Sequence, residues 1–234
     1  MHTTPVTMGE VLMRYYGWEV IEDPMYHRLL KDNIDITTAD QDKMSHFIDK
    51  YIESRRTVLD IGCHYGFFTN FLAKRFQQVH AFDFPNDILE CCKSNLEEIK
   101  NITIHEHGVG DRNTQVSTND WSTRHGRRGP LGNHVDPNNQ GVKYPIKTID
   151  SLNITDVDLM MIDTEGYEMH VLKGAVNTIK KYQPLLVLEF HNRNLTQKYG
   201  YSLLDLQAHV ESLGYRSLGY INTVDQVFVS EAKA

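Results

Sequence analysis

Four polar side chains, Asp163, Glu165, Glu189 and His191, close two apolar runs, "VDLMMIDTEGYE" and "PLLVLEFH". If both runs are neighbouring strands, their ends bring the four groups to one mouth. A positioned base there can take the proton from a reacting hydroxyl as a bond forms. His191 is the first choice of general base, because its unperturbed pKa lies closest to neutrality. Asp163 or Glu165 would orient its ring and favour the imidazolium, and Glu189 would border the acceptor. The same donors could instead hold Mg²⁺ or Mn²⁺; nothing in the spacing demands an ion, and no metal is expected. A plainer reading also stands. Asp163, Glu165 and Glu168 sit where a helix begins, and its dipole favours anions without any catalysis; His191 would then merely close a strand.

A second constellation lies upstream in "TVLDIGCHYGFFTNFLAKRF". An apolar run ends in Asp60, and Gly62 and Gly66 follow before a patterned helix. Glycines at such a junction let a ligand approach the main chain. The spacing is D-x-G-x-x-x-G, not the G-x-G-x-x-G that brings three glycines to a pyrophosphate. His64, Tyr65 and Phe67 crowd the turn, which suits a smaller ligand without phosphates. Asp83 ends the next apolar run, "QVHAFDF", 21 residues beyond Gly62. A carboxylate there accepts ribose hydroxyls and repels a 2′-phosphate. Ribose without pyrophosphate points to an adenosine derivative such as S-adenosylmethionine. The alternative is a glycine turn that only packs helix on strand, with Asp83 a solvated strand end.

A third stretch, "NDWSTRHGRRGPLGNHVDPNNQG", gathers Trp121, Arg124, His125, Arg127 and Arg128 in an otherwise acidic chain. Arginines suit phosphate or carboxylate, and Trp121 could stack on a sugar, so a lid that recruits an anionic acceptor is one expectation. A solvated insertion is the other. "HEH" at His105–His107 sets two imidazoles on one strand face with no third ligand nearby in sequence, and stays unassigned.

The elements that must position these groups follow a rhythm. A helix opens at Thr38, with Gln41 completing a capping box, and turns Met44, Phe47, Ile48, Tyr51 and Ile52 inward. The glycine turn then joins strand to helix. After "QVHAFDF", Pro85 suits the first turn of a helix bearing Ile88, Leu89, Cys92, Leu96 and Ile99. "ITIHEHGVG" is a third strand. Residues 112–142 form an irregular loop insertion. "VDLMMIDTEGYE" runs into one helix that buries Val171, Leu172, Ala175, Val176 and Ile179. A helix closed by Gly214 and an antiparallel strand pair end the chain. Alternating strands and helices predict a doubly wound α/β fold with a mainly parallel, Rossmann-like sheet and an antiparallel C-terminal edge. Residues 1–37 are read as a lead segment and 38–234 as a single domain. "YYGWEV" in the lead is aromatic enough to wall the site, though core packing explains it equally well.

Composition narrows the partners. The formal charge of −7 argues against a nucleic-acid surface. No apolar run approaches the ~20 residues that cross a bilayer, and the first residues do not read as a signal peptide. Three cysteines give no disulfide framework, so a cytoplasmic location is expected, with a small-molecule or saccharide acceptor and neither nucleic acid nor membrane as partner.

"VLDIGCHYGFFT", "AFDFPNDILECCKSN" and above all "LMMIDTEGYEMHVLKGA" together resemble the FkbM family of class I S-adenosylmethionine-dependent methyltransferases; "TIDSL" is a softer match. The resemblance implies O-methyl transfer to a hydroxyl of a sugar, glycan or related metabolite. It also implies that Asp60, Gly62 and Gly66 line the methionine part of the cofactor, that Asp83 takes the ribose hydroxyls, and that Val109 to Asp111 border the adenine. His64, Tyr65 and Phe84 are counted with the cofactor site. Two departures stand out: Met161 replaces the usual Lys, and Asp83 the usual Glu. The rivals are a nicotinamide-dependent oxidoreductase, which lacks the third glycine here, and a catalytically silent cofactor-binding module.

Overall fold

The computed structural model describes residues 12–15, 17–21, 39–120, 133–138, 140, 142–190 and 198–233. Strands β1 (Leu12–Tyr15) and β2 (Trp18–Ile21) pair as an antiparallel hairpin. Helix α1 covers residues 39–51 and buries Met44 and Ile48, as its apolar spacing predicts. Thr38 of the expected capping box lies outside the described residues. Gln41 donates instead to the Phe67 carbonyl.

Five strands then form the parallel body: β3 (Thr57–Ile61), β4 (Gln78–Asp83), β5 (Ile102–Glu106), β10 (Val157–Ile162) and β11 (Leu185–Glu189). Strands β12 (Tyr215–Tyr220) and β13 (Asp225–Ser230) complete a seven-stranded sheet in the order β12-β13-β11-β10-β3-β4-β5. The expected doubly wound sheet is present. β13 runs antiparallel to both its neighbours and lies between β11 and β12, so the terminal pair forms as expected with β13 inside the edge.

Every residue of β3 and β10 is buried, because helices cover both faces. Alternation sorts the side chains. Leu59, Met160 and Ile162 join one core, with Val171, Leu172 and Ile179. Val58, Leu159 and Met161 join the other, with Met44, Ile48 and Leu72. Helix α2 (Phe67–Ala73) follows β3, and α3 (Asp87–Leu96) follows β4.

Four local expectations change. Pro85 lies ahead of α3 rather than in its first turn; Asn86 is the cap, its side chain accepting the Leu89 N–H. "ITIHEHGVG" is split at His107 between β5 and β6 (Gly108–Val109), which belong to different sheets. The expected loop insertion contains β7 (Thr114–Asp120), β8 (Asn133–Val135) and the start of β9 (Val142–Lys147), which with β6 make a four-stranded sheet. After the short α4 (Ile149–Leu152) and β10, the expected single helix is two, α5 (Glu168–Lys173) and α6 (Val176–Tyr182). The break falls at Gly174, where a Cβ would lie 1.9 Å from the Gly110 carbonyl oxygen. Helix α7 (Leu203–Ser212) carries a capping box from Ser202 and Asp205 and is followed by Gly214 at φ +82.

Candidate active site

The winding reverses between β3 and β10, and a crevice opens beyond the carboxyl ends of strands at such a point. The glycine turn stands there. Gly62 has φ +93, and a Cβ on it would sit 1.7 Å from the Asp163 carbonyl oxygen. Its bareness therefore lets the tips of β3 and β10 close on each other. Gly66 has φ +87, and a Cβ on it would lie 2.9 Å from Cys92 Sγ and 2.7 Å from Leu96 Cδ1 of α3. Both glycines thus answer to protein contacts as well as to any ligand.

The turn is tied to Asp83. One Asp83 oxygen accepts the backbone N–H of His64 at 3.0 Å, and the other accepts that of Phe84 at 2.7 Å. His64 holds φ +53, a left-handed conformation that the turn imposes. Burial pushes the Asp83 carboxyl up to about 6, against these two hydrogen bonds. Asp60 is also raised to about 6 by burial; its carboxylate accepts the Thr69 hydroxyl at 2.5 Å, bracing α2. Asp60 pairs in register with Met161. Met161 beside this carboxylate is buried and apolar, and the Thr69 hydroxyl supplies the side-chain hydrogen bond.

Of the remaining residues expected at the cofactor site, Tyr65 lies within the turn itself and Phe84 directly follows Asp83. Tyr65 is buried among Val20, Ile88 and Cys91. Phe84 is buried with Val135, Ile146 and Tyr167. Val109 is in the main core. Asp111 binds His170 Nδ1 at 3.1 Å and is held below the usual carboxylate range by Arg112 and His170 despite burial.

The acidic cluster forms as its sequence positions predict. Asp163, Glu165 and Glu189 bring one carboxylate oxygen each within 4.8 Å of the others. Burial first, then repulsion from neighbouring carboxylates, raises all three: Asp163 well above the usual range, Glu165 to about 7, where Glu168 is the repelling charge, and Glu189 to about 9. Glu189 shares a hydrogen bond with Asp163, so one of the two carries the proton. Three hard oxygen donors at this spacing also fit a divalent cation. Glu165 sits at φ +54, beside Gly166 at φ +101, which turns it out of the strand line.

Glu168 has a different job. Almost fully buried, it accepts the Thr164 N–H and hydroxyl and the Gly166 N–H, while the Tyr201 hydroxyl donates to the Gly166 carbonyl. It holds the turn that carries Asp163 and Glu165. Its position at a helix start hinted at this; the partners Thr164 and Tyr201 gave no periodic signal. His191, Trp121, Arg124, Arg127 and Arg128 lie outside the described residues.

"HEH" gains a partner from the neighbouring strand. His80 Nδ1 lies 2.9 Å from His105 Nε2, and Phe82 stacks on His105 with centroids 4.3 Å apart. Burial lowers all three imidazoles, His105 to about 4, where His80 and His107 add repulsion. They are neutral near pH 7.

A parallel sheet reversing at a D-x-G-x-x-x-G turn, with an acidic residue ending the next strand, defines a class I methyltransferase architecture. The methyltransferase FkbM domain matches residues 60–217, more than half of the chain. The chain belongs to the FkbM methyltransferase family. The FkbM methyltransferase of Methylobacillus flagellatus KT superposes with a TM-score of 0.53 at 19% identity, over 75% of this chain and 43% of that one. The chain thus spans less than half the length of that relative. A SAM-dependent methyltransferase from Aquifex aeolicus gives a TM-score of 0.49 at 15% identity, covering 89% and 98% of the two chains. A putative methyltransferase from Streptococcus mutans, in complex with SAH, gives 0.47 at 14% identity, covering 79% and 93%. Among curated proteins no match is found. Among the described residues no helix is long and apolar enough to cross a membrane.

Proposed function

We propose that the protein transfers the methyl group of S-adenosylmethionine to a hydroxyl of a sugar, glycan or related metabolite. The observation that carries this reading is the hydrogen bond from the glycine turn to Asp83 at the switch point of the sheet. It presents main chain and a carboxylate side by side, as a ribose next to a methionyl tail requires. The acidic cluster stands across the turn from it, joined through the Gly62–Asp163 contact.

In the reaction the acceptor oxygen attacks the methyl carbon in line with the departing sulfur. The sulfonium becomes a neutral thioether, and the hydroxyl proton passes to a base. Alignment supplies much of the acceleration, and a positioned base adds a further factor. Asp163, Glu165 and His191 are the candidates. Glu165, raised to about 7, is near balance at neutral pH. Glu189 would border the acceptor, and the arginines at 124, 127 and 128 with Trp121 would favour an anionic one. Three buried free thiols support a reducing compartment such as the cytoplasm.

The test is a mass-spectrometric screen of S-adenosylmethionine with saccharides, nucleotide sugars and hydroxylated metabolites. The expected product gains one methyl on oxygen, and replacing the three arginines by Ala raises its KM. A cofactor that binds without turnover on any acceptor would favour the silent module. Binding of NAD in place of S-adenosylhomocysteine would favour the oxidoreductase.

A further inference from the structure

The hairpin of β1 and β2 lies ahead of the matched family region, yet it is joined to the glycine turn. Asn95, on α3, makes the join. Its Oδ1 accepts the Glu19 N–H at 2.6 Å, and its Nδ2 donates to the Glu19 carbonyl at 3.1 Å. The side-chain amide thus meets both backbone groups of one residue, as a neighbouring strand would. The same Nδ2 also reaches the Tyr65 carbonyl at 3.2 Å. Tyr65 immediately precedes Gly66, whose φ of +87 starts α2. Apolar contacts follow the same line: Trp18 packs on Phe67 with ring centroids 4.6 Å apart, and fully buried Val20 packs with Tyr65 and Ile88.

We infer that Asn95 is a positioning residue for the cofactor, tying the hairpin to the glycine turn so that Trp18 and Val20 hold that turn in its binding conformation. The inference rests on the cofactor reading above. A turn with left-handed residues at His64 and Gly66 has many competing conformations, and each one excluded before binding raises affinity. The aromatic stretch in the lead is then part of the site without touching the ligand.

Calorimetric titration with S-adenosylhomocysteine tests this. Asn95→Ala is expected to weaken binding about tenfold, the equivalent of about 1.4 kcal/mol. Trp18→Ala, which leaves the hydrogen bonds in place, should weaken it about threefold on the same scale. Val229→Ala, buried on β13, three strands along the sheet from β3, should lower Tm comparably yet leave the affinity unchanged. Wild-type affinity in both Asn95→Ala and Trp18→Ala would overturn the inference, as would an equal loss of affinity in Val229→Ala. Should the wild-type chain itself fail to bind, the cofactor reading falls first and this inference with it.

Discussion

The Asp83 carboxylate accepts the backbone N–H of His64 at 3.0 Å, across 19 residues of sequence, and so joins the acid at the end of β4 to the glycine turn. One group therefore shapes the turn and, in the proposed function, would also accept the ribose hydroxyls. Its carboxyl is raised to about 6 by burial. Ligand hydroxyls need the ionised acceptor, so affinity for S-adenosylhomocysteine should be full well above pH 6 and fall as pH drops through about 6. Asp83→Ala should lose at least tenfold in affinity, by the strength of hydrogen bonds to a charged group, and flatten the acid limb. A titration series at several pH values checks both.

Gly62 admits no side chain. A Cβ would stand 1.7 Å from the Asp163 carbonyl at a φ of +93. Gly62→Ala should cost about 3 kcal/mol or more through backbone strain and displacement of the β10 tip. At 2–4 °C per kcal/mol for a chain of this size, Tm should fall by roughly 10 °C. Gly66→Ala meets only side-chain ends, so its steric share should be smaller. Thermal unfolding compares the two.

The acidic cluster predicts an alkaline weakness. Glu189 keeps its proton up to about pH 9 in the folded chain, against an ordinary value of 4.5. Between those values the folded state binds more protons than the unfolded one, so stability falls as pH rises. Glu189→Gln, neutral throughout, should melt with a shallower pH dependence. The account assigns protons rather than a cation to this cluster, so excess Mg²⁺ should leave the series unchanged. A rise in Tm at about pH 9, seen in wild type and lost in Glu189→Gln, would assign the cluster to a metal.

Met161 bears on Asp60. The two pair in register, and Met161 packs in the core with Val187 and Leu159. Met161→Lys would place an ammonium beside a buried carboxylate now held by Thr69. The Asp60 carboxyl should drop from about 6 toward the ordinary range, measurable by carboxyl-resolved NMR titration. Thr69→Ala should destabilise the wild type by more than it destabilises Met161→Lys.

The order of strands and helices was legible because both faces of β3 and β10 are buried, giving continuous apolar runs, while α1 and α3 carry one apolar stripe each. The glycine turn, Asp83 and the acidic cluster were legible by spacing along neighbouring strands. What was hidden depends on contacts distant in sequence. Gly174 breaks a helix because Gly110 lies against it. His107 separates two sheets, and the polar stretch after it, with no apolar period, still pairs as β7 with β9. Thr69 as partner of Asp60, Tyr201 beside Glu168 and His80 beside His105 are all tertiary meetings that no local pattern announces.

The most direct test is a crystal structure with S-adenosylhomocysteine bound. The account predicts its homocysteine tail over the bend from Asp60 to Gly66 and both ribose hydroxyls within hydrogen-bond distance of Asp83. A nucleoside bound elsewhere, or an Asp83 carboxylate turned to solvent beside it, would contradict the account.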